Sequence, residues 1–229
     1  MDIQRIREKN KAEIRGLILG AARKSFVEDG YKSFSLRSLA QRIGYSPAAI
    51  YRYFKSKDDI FACLTQESFD LLIKASSAIV PGPDEDPVSV LKRGLHAYVA
   101  FGLENPDHYR IAFLLGGIEG NGPQRSRASY EALRARIQRC IDGDRICPAD
   151  PELLAQSLWA AAHGVTSLLV QRPSFPWVAR SKLVDRVIDS AVDALLVHPK
   201  AVSPGGENGN RNISKKFVAR KRTRIPARA

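Results

Sequence analysis

Hydrophobic residues recur every three or four positions along most of this chain, which is the period of an α-helix with one buried face. Runs that alternate between apolar and polar residues, as expected of a strand, are absent from the sequence. The chain is therefore predicted to be all-α, with eight or nine helices and no internal repeat. The expected helices span 11–30, 36–43, 47–54, 56–80, 87–104, 106–115, 124–142, 151–171 and 180–197.

Polar residues that can cap a helix N-terminus stand immediately before most of these runs. Four of them precede a proline, which suits the first helical turn because its missing N–H has no partner inside the helix. These residues mark where the helices are expected to begin. The predicted caps are Ser35, Ser46, Ser56, Asp86, Asn105 and Asp150.

The 229 residues carry a formal net charge of +12, and the positive charge is concentrated at the two ends of the chain. Residues 1–57 hold 13 Lys or Arg against 5 acids, and residues 199–229 hold 9 against 1. A basic head and tail predict a polyanionic partner, either nucleic acid or an anionic membrane. The tail is also rich in Gly, Pro and Asn, so we predict that it is disordered.

The two short helices near 36–43 and 47–54, joined by a glycine-containing turn, have the pattern of a helix-turn-helix. The helix at 11–30 can close a core behind them, and the second helix of the pair would enter the DNA major groove. Short helix pairs in other all-α proteins imitate this pattern, in which case the tyrosines are core residues and the basic residues a solvated face. Periodicity alone leaves both interpretations open. The residues expected to face outward are Ala48, Tyr51 and Arg52.

The sequence SLRSLAQRIGYSPAAIYRYFKSKDDI at 35–60 resembles the DNA-binding segment of the tetracycline-repressor (TetR) family. The resemblance extends upstream through ILGAARKSF at 18–26 and Gly30-Tyr31. It implies a homodimer that releases double-stranded DNA when a small ligand enters the C-terminal domain. By the same resemblance, phosphate contacts fall at Ser35, Tyr51 and Lys57, a base contact at Arg37, and operator-reading residues at Ser46, Ala48 and Arg52.

The C-terminal part of the chain resembles the family in outline only. NPDHYRIAF at 105–113 is similar to a stretch where one helix ends and the next begins, and Trp159-Ala-Ala-Ala-His163-Gly164 is similar to a W-x-x-x-H-G signature of one group of members. We predict a site for a small, mainly apolar effector, with aromatic residues around a histidine anchor. The alternative for His163 is a partly buried, hydrogen-bonded core histidine. The candidate effector contacts are His96, Phe101, Phe113, Trp159 and His163.

Helices 151–171 and 180–197 carry more hydrophobic surface than a single core-facing side requires. Two such helices per subunit can pair across a two-fold axis as a four-helix bundle. The alternative is that their apolar side chains are buried within one subunit. The predicted dimer contacts are Leu158, Val165, Val184, Val187, Ile188 and Ala191.

Histidine and cysteine residues show no metal-ligand spacing, and no catalytic motif occurs, so we predict no metal, no cofactor and no enzymatic activity. The sequence also indicates neither a signal peptide nor a membrane span, so a cytoplasmic location is expected. The expected organisation is a basic arm at 1–10, a DNA-binding domain at 11–57, a connecting helix at 58–80, a regulatory and dimerisation domain at 86–197, and the tail at 199–229.

Taken together, these features predict a ligand-released repressor that binds a palindromic operator as a homodimer. One alternative is a sequence-neutral nucleic-acid-binding protein that depends on its basic head and tail. The other is a small helical enzyme with a histidine-lined pocket.

Overall fold

The computed structural model describes residues 3–115 and 124–197, and within these ranges the chain is built from helices. An isolated bridge pairs Ile146 with Leu196. The all-α prediction is confirmed. In chain order the helices are α1 (Ile3–Ser33), α2 (Leu36–Arg42), α3 (Pro47–Tyr51), α4 (Lys57–Ser77), α5 (Pro87–Glu104), α6 (Pro106–Tyr109) with a π-helical turn at Arg110–Leu114, α7 (Gln124–Asp142), α8 (Pro151–Gln171) and α9 (Arg180–Asp193).

The first helix begins well before the hydrophobic pattern does, at Ile3 rather than near Lys11. Residues 4–13 are exposed on all sides, so no buried stripe marks them in the sequence. They are rich in Gln, Arg, Glu and Lys, which favour helix without burial. The described part of the predicted basic arm is therefore a helical extension of α1, whereas the predicted tail at 199–229 lies outside the described residues.

Most of the predicted helix starts coincide with the observed caps. Asn105 is the exception: its Nδ2 donates to the carbonyl oxygen of Phe101 (3.2 Å), so it closes the end of α5 and gives α6 no side-chain cap. At the other five predicted caps, the side-chain oxygen accepts a hydrogen bond from a backbone N–H of the first helical turn. These confirmed caps are Ser35, Ser46, Ser56, Asp86 and Asp150.

Apolar side chains form two main cores joined by a smaller cluster. The first core lies among α1–α4 and contains Ile18, Phe26, Leu39, Ile50 and Phe54. The second lies among α5, α7, α8 and α9 and contains Leu91, Leu95, Ile137, Leu158 and Ile188. The connecting cluster contains Phe69, Leu72, Phe101, Tyr109 and Val170.

Helix α8 is long and apolar enough to cross a membrane, judged by length and composition alone. However, its Leu158, Val165 and Leu169 are buried in the second core. Burial of this kind is typical of the central helix of a globular domain.

The predicted dimer contacts on α8 and α9 require a correction, because these helices pack against each other and against α5 with the faces that carry them. Leu158, Val165, Val184 and Ile188 are buried in the second core of their own subunit, so the prediction is wrong for these four. Val187 and Ala191 are partly buried against the same core. The alternative of burial within one subunit describes this face.

Candidate DNA-binding surface and regulatory site

Helices α2 and α3 form a helix-turn-helix whose inner face is fixed by the first core. Ile50 and Phe54 are buried behind α3, as the sequence predicts. The turn between the helices contains Gly44 with a φ of 72°, a conformation that favours glycine over residues with a Cβ. The caps at Ser35 and Ser46 then set where each helix begins.

The predicted DNA contacts in α2 and α3 all have solvent-exposed side chains. Tyr51 has 55% of its surface exposed, which excludes the interpretation of this tyrosine as a core aromatic. The hydroxyl oxygens of Ser35 and Ser46 already accept backbone N–H groups, but each hydroxyl can still donate its proton to a phosphate oxygen. The exposed set is Ser35, Arg37, Ser46, Ala48, Tyr51 and Arg52.

Lys57 differs from this set because it is half-buried at the start of α4. Its Nζ lies 4.4 Å from the ring centroid of Tyr31 and donates to the Tyr31 carbonyl oxygen at 3.3 Å. The Tyr31 hydroxyl donates to Asp58, and this hydrogen bond, with burial and the nearby charge, raises the pKa of Tyr31 to about 12. Tyr31 and Asp58 thus position the ammonium group, a role that the sequence analysis missed.

In the regulatory domain, His163 of α8 lies between two tyrosine hydroxyls. Its Nδ1 is 2.8 Å from the hydroxyl of Tyr109 and 3.0 Å from that of Tyr98. Burial lowers the pKa of His163 and raises the pKa of Tyr98 to about 12. A neutral imidazole has one lone pair at Nδ1, so it accepts from one tyrosine hydroxyl while the other donates elsewhere. The His163 carbonyl oxygen, 3.3 Å from the Tyr109 hydroxyl, can accept that second proton.

Aromatic rings surround this histidine. The ring centroids of Phe113 and Trp159 lie 5.6 Å and 6.0 Å from that of His163, and the Trp159 indole N–H donates to the Tyr98 hydroxyl at 3.4 Å. Phe101 is buried beside Tyr109 in the connecting cluster. The structure therefore brings together three of the five predicted effector contacts, Phe113, Trp159 and His163, and places Phe101 in the connecting cluster.

His96 does not join this group. Its Nδ1 lies 3.9 Å from a carboxylate oxygen of Asp185 on α9, whereas the His163 contact comes from Tyr98, two residues further along α5. Two residues on a helix are about 200° apart, so His96 and Tyr98 point to different neighbours. Tyr98 and Tyr109 were missed as site residues, although Tyr109 lies in the 105–113 stretch that resembles the family.

The segment 106–114 connects this site to the DNA-binding domain. The rings of Tyr109 and Phe113 pack against the ring of His163, and these residues with Tyr98 and Trp159 are called the His163 cluster below. Ile111, between Tyr109 and Phe113 in the chain, is buried in the first core. On the same segment, His108 Nδ1 lies 3.2 Å from the Ser68 hydroxyl of α4. The two domains thus share one short element.

These features define a helical DNA-binding protein with a separate regulatory domain, and comparisons with known proteins identify its family. Residues 18–64 match the "Bacterial regulatory proteins, tetR family", and residues 91–195 match a "Tetracyclin repressor-like, C-terminal domain". The chain belongs to the TetR family of transcriptional regulators, with a helix-turn-helix DNA-binding domain and a ligand-binding C-terminal domain.

Similar proteins include regulators of opposite sign. The transcriptional repressor Rv1474c of Mycobacterium tuberculosis is 36% identical over 73 residues, a match that covers 32% of this chain and 39% of that protein. The transcriptional activator FasR of Mycolicibacterium smegmatis is 25% identical over 181 residues, covering 79% of this chain and 78% of FasR. The structure of the TetR-family regulator PfmR from Thermus thermophilus is similar with a TM-score of 0.62 at 25% identity, covering 77% of this chain and 97% of PfmR.

Proposed function

We propose that this protein is a cytoplasmic repressor that binds a palindromic operator as a homodimer and releases it when a small, mainly apolar compound binds the regulatory domain. The observation that carries the proposal is the exposed α2–α3 surface, on which Arg37, Ala48 and Arg52 all have solvent-exposed side chains. Arginine can form a bidentate contact with guanine, and a small residue allows the helix to approach the base edges closely. Ser35, Tyr51 and Lys57 would bind the flanking phosphates.

Selection of bound sequences from random double-stranded DNA tests this proposal. We expect an inverted repeat whose half-sites are spaced by one helical turn or a multiple of it, because two-fold protein symmetry imposes two-fold symmetry on the site. Transcription from that site should rise when the gene is deleted. Selection that yields no preferred sequence would favour the alternative of sequence-neutral binding through the basic head and tail.

The outer face of α8, and not the buried residues predicted from the sequence, is the surface that we propose for the homodimer contact. A stripe of apolar and small residues follows this face, and its end members Leu153 and Leu168 have 60% and 52% of their surface exposed. These ends are about 22 Å apart along the helix. Small residues between them would allow the same helix of a partner subunit to pack closely. The stripe consists of Leu153, Ser157, Ala160, Gly164 and Leu168.

Gly164 offers a sharp test of this dimer surface. A Cβ placed there meets no atom within 4 Å in the subunit, so the Gly164→Arg variant should fold but fail to pair. The matched control is Gly20→Arg on α1, where a Cβ also meets nothing within 4 Å. Analytical ultracentrifugation should give monomers for the first variant and dimers for the second. Dimers in both variants would place the interface elsewhere.

Release of DNA would begin at the His163 cluster. A ligand that inserts beside Trp159 and His163 would displace Tyr109 or Phe113, and Ile111 on the same segment would carry the change into the first core. Effector and operator must then weaken each other's binding by the same factor. A screen of aromatic and aliphatic compounds by thermal shift, followed by operator titration with each compound that binds, tests this reciprocity. Compounds that bind without changing operator affinity would contradict ligand release.

A further inference from the structure

The N-terminal half of α1 extends beyond the body of the DNA-binding domain. Ile18 is the first fully buried residue of the helix, and residues 4–13 are exposed. These ten residues correspond to about 15 Å of helix. Five basic residues, from Arg5 to Arg15, lie in this half of the helix, with two acids, Glu8 and Glu13.

The basic residues are divided between two faces of this extension. Arg7, Lys11 and Arg15, at intervals of four, continue the face that is buried from Ile18 onwards. Arg5 and Lys9 lie on the opposite face, where the Lys9 ammonium is 3.9 Å from a Glu13 carboxylate oxygen. One face of α1 thus changes from apolar in the core to basic in solvent.

Arg15 is the residue at which this basic face meets the body of the DNA-binding domain. Its guanidinium carbon lies 5.1 Å from the ring centroid of Phe54, and its Nη2 donates to the Cys63 sulfur at 2.9 Å. Phe54 lies three residues after the end of α3 and is part of the same core as Ile50. The basic face therefore emerges next to the end of the helix-turn-helix.

We propose that Arg7 and Lys11 form a second DNA-contacting surface, which binds phosphates flanking the half-site read by α3. The inference rests on the proposed function, because it requires a duplex docked on α3. That duplex would extend past the edge of the domain and present one negative charge per about 1.7 Å of its length. The two side chains are about 6 Å apart along the helix, and they carry charge but no base-reading geometry.

The opposite face of the same helix provides a matched control. The variant Arg7→Gln/Lys11→Gln and the control Arg5→Gln/Lys9→Gln each remove two positive charges from exposed positions, and Gln retains helix propensity. Affinity for the selected operator is measured across a salt series. We expect the slope of log K against log salt to fall by about 3.6 for the first variant, since each phosphate contact contributes about 0.9 and a bound dimer loses two contacts per subunit. The control should keep the wild-type slope.

Hydroxyl-radical footprinting provides a second readout. The first variant should lose protection at the outer phosphates of each half-site and retain the central footprint and the preference for operator over random DNA. Equal slopes in the two variants, or an unchanged outer footprint, would overturn the proposal. If the wild-type protein prefers no sequence, the proposed function fails, and the slope difference on random duplex still decides whether this face binds DNA.

Discussion

Gly102 of α5 packs closely against Thr166 of α8 and Tyr109 of α6, and we expect alanine there to destabilise the protein. A Cβ on Gly102 would overlap the methyl carbon of Thr166 and lie 2.9 Å from Cδ2 of Tyr109. Carbon atoms pack favourably at about 3.5–4.0 Å, so both neighbours would have to move. Both are fully buried, and both are held by hydrogen bonds: Thr166 donates to the Ala162 carbonyl at 2.7 Å, and the Tyr109 hydroxyl contacts His163.

Two opposing effects determine the size of this change. Overpacking of a core costs about 1–3 kcal/mol. Alanine in place of glycine inside a helix recovers about 0.5–1 kcal/mol. The net expectation for Gly102→Ala is therefore a loss of about 1 kcal/mol in the free energy of unfolding, within a range of about 0–2.5 kcal/mol. Displacement of Tyr109 would also disturb the hydrogen bonds at His163.

Gly20→Ala on α1 is the control for this prediction. A Cβ there meets nothing within 4 Å, so the substitution should stabilise the protein by about 0.5–1 kcal/mol through helix propensity alone. Urea denaturation of both variants, at one protein concentration, measures the difference. If Gly102→Ala is as stable as Gly20→Ala, the close packing around Gly102 does not determine stability.

Three further predictions concern DNA binding and pH. Arg52→Ala should relax the preference at particular base pairs, with a loss of about 1–3 kcal/mol, whereas Lys57→Ala should weaken operator and random duplex alike; titration of both variants against both DNAs tests this. Truncation after residue 198 removes eight net positive charges, and it should lower the slope of log K against log salt without changing the ratio of the affinities for operator and random DNA. An unchanged slope would mean that the tail plays no part in DNA binding. The free energy of unfolding should fall as the pH drops below about 6.5, because burial lowers the pKa of His108 and His163 in the folded state and protons therefore bind the unfolded chain more tightly than the folded one. Urea midpoints that stay constant from pH 7 to 5 would contradict this.

The DNA-binding domain was largely predictable from the sequence, because its signals are local. The caps at Ser35, Ser46 and Ser56 and the inner positions Ile50 and Phe54 depend on neighbours within one or two helical turns. The start of α1 was not predictable in the same way. Its first turns are exposed, and a hydrophobic pattern detects only helices that bury one face.

The regulatory site was only partly predictable, because its contacts join residues that are far apart in the chain. Tyr98 and Tyr109 reach His163 across separations of 65 and 54 residues, and no spacing within the sequence records that meeting. Four of the six predicted dimer contacts were wrong for a related reason. A hydrophobic stripe indicates that a helix face is buried, but the pattern is the same whether the covering surface comes from the same subunit or from a partner.

The three faces of α8 bear on how the two domains would communicate. Helix α8 buries Leu158 and Val165 in its own subunit, so its outer stripe would be available to a partner. A third side carries Trp159 and His163, the proposed effector contacts. One rigid helix would then support both the dimer contact and the ligand site. A displacement caused by a ligand would not be absorbed by α8, whose two other sides are packed, and would instead move the short 106–114 segment. Because that segment has Ile111 in the first core, the three faces of α8 would direct the proposed response toward the DNA-binding domain.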